Sequence, residues 1–281
     1  MTPFDPTQCS LGEGPLWHPR RQELFWFDIN KMRLYARGAG EQKHWQFEEH
    51  CSAAGWVDDD TLIMASETGL WRFVISDGSR ERLCPLEADD PVTRSNDGRA
   101  DPWGGFWIGT MGKKAEPKAG AIYRYFAGEL RQLVPDVTIS NAICFAPDRS
   151  CAYYTDTLTQ KVMRQPLTPE TGWPDGDAEV FLDLSGTALN PDGAVTDSAG
   201  NVWIAMWGSA CVVCYGPDGT EKRRVEVPGK HTTCPAFGGA ALEDLYVTSA
   251  TQMLKDTSAP QGATFVIPNV AQGVAEPQVR L

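Results

Sequence analysis

Four oxygen-bearing side chains recur at one position of a repeating pattern. Glu13 lies five residues before His18-Pro19, Asn96 five before Asp101-Pro102, Asn141 five before Ala146-Pro147, and Asp192 five before Asp197-Ser198. Two carboxylates and two carboxamides brought to one point make an all-oxygen donor set, which suits a hard divalent cation. Such an ion would also relieve the repulsion between two confined carboxylates. Taken singly, each residue has a plainer reading. Glu13 is a loop acid in Gly12-Glu13-Gly14-Pro15, Asn96-Asp97-Gly98 and Asn190-Pro191-Asp192-Gly193 are turn sequences, and Asn141 after Ser140 is a partner for backbone groups. The shared register favours a shared role. By the same count, the two remaining copies of the pattern offer Ala54 and Cys234.

Residues far apart in the chain need a repeating scaffold to meet. Six apolar or aromatic segments supply it: 24–28, 61–65, 105–109, 152–155, 201–205 and 244–248. At one register they hold Trp26, Ile63, Trp107, Tyr153, Trp203 and Tyr246, separated by 37, 44, 46, 50 and 43 residues. Periods in the forties with several short strands per unit predict an all-β, six-bladed β-propeller, its four-stranded antiparallel blades set around a central channel. A pair of β-sandwiches does not account for six similar units. Further strands are expected at 70–74 and 121–125, after Gly69 and Gly120. The segment 263–267 is expected to help close the ring with N-terminal chain. No long helix or linker interrupts the pattern, so residues 1–281 are read as a single domain. In this fold the entry of each innermost strand faces the channel mouth, where Glu13, Asn96, Asn141 and Asp192 fall.

Composition narrows the partners. The 281 residues carry a net charge of −12, which disfavours nucleic acid because phosphate backbones call for a positive surface. No apolar stretch nears the roughly 18 residues that span a bilayer. The opening Met1-Thr2-Pro3-Phe4-Asp5-Pro6 has neither a basic end nor an apolar run, so no secretory signal is expected. The eight cysteines are therefore read as reduced thiols of a cytoplasmic protein, and the sequence leaves the oligomeric state, a monomer among the choices, open. Cys211 and Cys214 stand three apart on an expected strand and point to opposite faces, which argues against a redox or zinc role. His18 reads as structural and Asp156 as a hydrogen-bonding blade residue. His231 is a candidate for the mouth and Trp207 for a pocket wall.

An ordered set of short motifs resembles the senescence-marker-protein/gluconolactonase/regucalcin family. The set comprises Leu11-Gly12-Glu13-Gly14-Pro15-Leu16-Trp17, Arg94-Ser95-Asn96-Asp97-Gly98, Gly109-Thr110-Met111, Ile139-Ser140-Asn141, Tyr154-Thr155-Asp156-Thr157, Pro191-Asp192-Gly193 and Phe237-Gly238-Gly239. The likeness runs from about residue 9 to about residue 250 and leans toward bacterial sugar lactonases of pentose and hexose oxidation. It implies one catalytic divalent metal ion (calcium, zinc, magnesium, manganese or iron(II)) held by Glu13, Asn141 and Asp192. It also implies that Asn96 is a further ligand or a substrate and water contact, and that Arg94 holds substrate oxygens. The implied reaction is hydrolysis of a sugar lactone to the aldonic acid. Where vertebrate members follow Gly-Thr-Met with an acidic sugar contact, this chain has Lys114, after Lys113.

On this reading the metal polarises the lactone carbonyl while water attacks, with Asp192 as the candidate general base or, alternatively, only a ligand. The fork of donors on Arg94 suits vicinal hydroxyls or a carboxylate. If the basic segment 113–118 overhangs the mouth, it would favour an acidic sugar lactone. Two rival readings remain: an organophosphatase- or paraoxonase-like hydrolase on the same scaffold, and a metal-binding propeller without activity.

Overall fold

Burial falls steadily from the axis of the molecule outward. The structure, a computed structural model describing residues 2–281, forms six four-stranded antiparallel sheets and one short 3-10 turn, Thr157–Thr159. The inner strands are Gly12–His18, Cys51–Trp56, Thr93–Ala100, Ser140–Phe145, Asn190–Thr196 and His231–Gly238. They are buried almost throughout, because their two faces pack on the flanking blades and their free edge lies at the channel: in Cys51–Trp56, Ala54 packs toward blade one and Ala53 toward blade three. Strands covered on both faces read as continuous apolar or small-residue runs rather than alternating ones. Of the outermost strands, Glu221–Glu226 is largely exposed and Arg80–Pro85 half-exposed, and both are rich in charge, which suits a sheet edge.

The aromatic register on the second strands builds the walls between blades. Trp26, Ile63, Trp107, Tyr153, Trp203 and Tyr246 are all buried. Trp107 meets Phe145 edge-on at 5.4 Å between ring centres, and Trp203 meets Phe237 at 6.1 Å. Such pairs add roughly 0.5–1.5 kcal/mol beyond the area they bury. Tyr246 stacks on Trp17 at 5.3 Å, joining the last blade to the first. That last blade is completed by the N-terminal chain: Thr264–Ile267 pairs with Pro3–Asp5 on one side and Asp244–Ala250 on the other. Inner strands Gly12–His18 and His231–Gly238 also touch, so the ring is closed both at the axis and at its rim.

All eight cysteines are free, and seven of them are buried. Cys211 packs between blades four and five and Cys214 between five and six, on opposite faces of one strand. Among the described residues, no helix is long and apolar enough to cross a membrane.

Candidate active site

Every inner strand breaks register near its mouth end. The irregularities fall between Glu13 and Leu16, Cys51 and Ala53, Ser95 and Gly98, Asn141 and Cys144, Pro191 and Ala194, and Thr232 and Pro235. A bulge re-aims side chains that a regular strand would send into the sheet stack. Here the break falls beside Glu13, Asn96, Asn141 and Asp192, the residues that reach the cleft from four of the blades. Gly14 (φ +54°) and Ala142 (φ +56°) follow Glu13 and Asn141 in left-handed backbone. For a residue with a side chain, such as Ala142, that conformation costs of order 1–3 kcal/mol.

Carboxylates at the ends of second strands fix the approach to two of these positions. Asp28 accepts from the backbone N–H groups of Ser10 (2.8 Å) and Leu11 (3.1 Å), just before Glu13. Asp156 does the same for Thr138 (2.9 Å) and Ile139 (3.1 Å), just before Asn141. Asp156 is thus a blade hydrogen-bonding residue, in line with the sequence reading. His18 is structural too, its Nε2 lying 2.9 Å from the Asp58 carbonyl.

Glu13, Arg94, Asn96, Asn141 and Asp192 line one cleft of about 460 Å³ at the channel mouth, together with Met111, Ile139, Thr157 and Trp207. The Asn96 amide donates to the Asn141 carboxamide oxygen (3.1 Å) and to the Ser140 carbonyl (2.8 Å). Arg94 Nη1 donates to Asn96 Oδ1 and to the Ser95 carbonyl, both at 2.8 Å. Asn141 Nδ2 donates to Thr157 Oγ1 (2.9 Å), which in turn donates to the Pro191 carbonyl (2.8 Å). Thr157 therefore ties blade four to blade five and fixes the Asn141 amide. Sequence reading had it only as part of a motif, because its partner is 34 residues away.

The two carboxylates stand apart from this network. Glu13 accepts only from the Gly14 backbone N–H, at 3.1 Å. Burial pushes the Glu13 carboxyl up to about 8, and the nearby Asp97 charge pushes the same way. Asp192 is raised well above the usual carboxylate range by burial and then by the Glu13 and Asp97 charges. Asp97, buried and bound to the Ile143 N–H at 2.7 Å, rises to about 6, chiefly through burial. Burial also lowers Arg94, to about 10, against the pull of Glu13 and other carboxylates. The mouth thus concentrates carboxyl groups whose charged forms, among the described residues, no hydrogen-bonded cation balances. Asp97 has no role of its own in the sequence, where it is one residue of the turn sequence Asn96-Asp97-Gly98.

These donors fit a divalent cation. Two carboxylates that disfavour their own charges, beside two carboxamides, form the hard all-oxygen set such an ion takes. Among the described residues no three His, Cys, Asp or Glu side chains form a metal-binding group, so the amide oxygens have to complete the set.

The blade-two position differs from the sequence count. The Val57 N–H bonds the Thr61 carbonyl as Asp101, Ala146 and Asp197 bond theirs, which makes Ser52 the counterpart of Asn96, Asn141 and Asp192. Ser52 Oγ donates to Ser95 Oγ at 2.7 Å, whereas Ala54 packs into the core between blades one and two. Cys234 is buried at the axis in blade six, beside Gly193. His231 stacks on Trp207 at 4.2 Å and binds the Gln252 carbonyl, so it backs the pocket wall that Trp207 presents. The 113–118 segment does reach the mouth: Lys113, Lys114 and Ala115 line the cleft, and Lys113 pairs with Glu67 at 2.9 Å.

Comparison with known proteins agrees with this architecture. Residues 11–251 match the family described as "SMP-30/Gluconolactonase/LRE-like region". An L-arabinolactonase from Azospirillum brasilense is 35% identical over 280 residues, covering 96% of this chain and 92% of that protein. A pentonolactonase from Haloferax volcanii is 37% identical over 247 residues, covering 87% of this chain and 83% of its own length. The crystal structure of a calcium-binding protein, regucalcin, from Agrobacterium tumefaciens superposes with a TM-score of 0.97 at 40% identity, over 99% of this chain and 97% of that one.

Proposed function

The chain belongs to the SMP-30/gluconolactonase/LRE-like family, and on that premise we propose that it hydrolyses a sugar lactone with the help of one divalent cation. The observation that carries this reading is the meeting of Glu13, Arg94, Asn96, Asn141 and Asp192 in a single cleft at the axis. Glu13, Asn141 and Asp192 are the proposed ligands. When bound, the ion supplies Lewis-acid polarisation of the lactone carbonyl. Asp192 orients the attacking water and takes its proton. Arg94 is held by Asn96 and the Ser95 carbonyl through Nη1, which leaves Nη2 and Nε for substrate oxygens. Asn96 contacts substrate or water, and Trp207, Met111 and Ile139 supply the apolar walls.

Elemental analysis of the purified protein, coupled to a pH-drop assay over a panel of aldonolactones, tests the proposal. Lactone turnover that chelator abolishes and one added divalent ion restores is the expected result. A metal-free preparation with full turnover would remove the ion from the proposal, and no turnover on any lactone would end the proposal altogether.

Metal also has a stability signature. At one hundred times its dissociation constant the ion adds about 2.7 kcal/mol to folding, so the melting temperature rises measurably in its presence. The chelated protein follows the opposite electrostatic logic. Glu13 binds its proton more tightly folded than unfolded, so its contribution to stability is full below its ordinary value of 4.5 and is lost as pH rises toward about 8. A chelated protein whose melting temperature is flat or rising across that window contradicts the buried-carboxylate reading.

Lys114 lies at the cleft and, among the described residues, forms no ion pair. An anionic sugar lactone is therefore expected to give a higher kcat/KM than a neutral one, and Lys114→Gln to erase the difference. Equal values in the parent protein end this refinement.

A further inference from the structure

Lactone opening needs a proton as well as a nucleophile, because the departing ring oxygen leaves as an alkoxide unless it is protonated. Within the cleft, Glu13, Asn141 and Asp192 are already proposed as ligands, Lys113 is engaged with Glu67, and Arg94 and Lys114 are assigned to binding substrate oxygens and an anionic substrate group. His50 remains. Its position is set by the repeat: the Glu67 N–H bonds the His50 carbonyl as Ile29 bonds Leu11 in blade one and Thr157 bonds Ile139 in blade four. Leu11 and Ile139 are apolar wall residues of the cleft, and blade two puts an imidazole at the same place on that wall.

The imidazole is oriented. Its Nδ1 lies 2.7 Å from Glu67 Oε2. A carboxylate only accepts, so Nδ1 is the donor and Nε2 is the free nitrogen. Among the described residues Nε2 has no hydrogen-bond partner. The arrangement is a carboxylate holding one face of a histidine whose other nitrogen is available to a bound molecule, the geometry by which an orienting acid serves a proton-transferring imidazole. The charged groups around it are Glu67 and Lys113 on its own side and Arg94 and Lys114 elsewhere on the cleft.

We propose that His50 is the general acid of this reaction and that Glu67 is its positioning residue, an inference that rests on the lactonase reading. Water bonds to the carbonyl carbon and gives one proton to Asp192. The bond from that carbon to the ring oxygen breaks, and its electron pair stays on the ring oxygen. That oxygen takes a proton from Nε2 of the His50 imidazolium, which leaves a neutral ring with its remaining proton on Nδ1 toward Glu67. His50 recovers a proton from solvent and Asp192 releases one to it, and the carboxylic acid so formed loses its own proton, so the net products are the hydroxy acid carboxylate and one proton.

The test compares two leaving groups. With gluconolactone the leaving group is an alkoxide, and His50→Gln is expected to lower kcat by about 10²-fold, the low end for a positioned acid. With dihydrocoumarin the leaving group is a phenoxide that departs without help, and the same variant is expected to stay within about threefold of the parent. On gluconolactone, His50→Ala is expected to recover rate with added imidazole, and Glu67→Gln to show a smaller loss of the same selectivity. Metal content and melting temperature are measured on each variant. Unchanged gluconolactone turnover, or an equal loss on both substrates without imidazole rescue, overturns the role of His50 while leaving the lactonase reading intact. A parent protein inactive on every lactone overturns that reading, and this inference with it.

Discussion

Asp192→Asn is expected to lower kcat by about 10²- to 10⁴-fold while the metal-free protein becomes more stable. The first half follows from the proposed role of Asp192. A positioned general base contributes a factor of that size, and asparagine keeps the shape of the side chain but cannot take a proton. The second half follows from the electrostatics of the mouth. Asp192 is buried, and its charge is opposed by burial and by Glu13 and Asp97. Removing one of these unpaired carboxylates relieves the others, so the metal-free variant should melt above the metal-free parent. Sites that store such repulsion commonly exchange stability for activity. Steady-state kinetics, elemental analysis and paired melting curves check both halves. Near-normal turnover with normal metal content removes Asp192 as the base, and a lower metal-free melting temperature refutes the claim of stored repulsion.

Asp101→Asn is expected to cost about 3–5 kcal/mol of stability, the usual penalty for breaking a buried ion pair. Asp101 and Arg124 are both fully buried, with Asp101 Oδ2 2.7 Å from Arg124 Nε. Asp101 Oδ1 also accepts from the Trp103 and Gly105 N–H groups, both at 2.9 Å, and so shapes the turn that ends the blade-three inner strand. Arg124 Nη1 and Nη2 have no hydrogen-bond partners. Its charge rests on Asp101 and on the faces of Phe126 (4.4 Å) and Trp173 (4.5 Å). With the carboxylate gone, two aromatic faces hold a buried cation alone. For a chain of this size the melting temperature should fall by roughly 10 °C. Breaking the exposed pair of Arg164 and Glu179 should change it far less, since exposed pairs contribute roughly 0–1 kcal/mol. A drop at Asp101 no larger than at that exposed pair would show the buried pair to be dispensable.

Much of the fold was legible because propeller repeats are written in burial. Trp26, Ile63, Trp107, Tyr153, Trp203 and Tyr246 recur because each blade fills the gap to the next with an apolar side chain at this register. Periodicity registers that need directly. The outer strands gave less signal, since 221–226 is mostly exposed and 80–85 half-exposed, and both answer to solvent rather than to packing. The carboxylates and amides of the mouth were found by counting back from turns, and the count succeeded in four blades. In blade two it pointed to Ala54 where the hydrogen bonding points to Ser52.

By itself the chain determined the number of blades, the strands that wall them, and the identities of Glu13, Asn96, Asn141 and Asp192 as residues sharing a register. Local burial and turn chemistry settle these, and both are properties of neighbours in sequence. Tertiary structure alone decided where those side chains point. The break of register in each inner strand rotates them to the axis, and such a break depends on pairing with a second strand rather than on the residue types within one. It also decided what surrounds them: Thr157 bridging to Pro191, Asp97 behind the carboxylates, and Glu67 against His50. Each of these contacts joins residues 17 or more positions apart, or acts through space without a bond, and so leaves no spacing for a sequence to display.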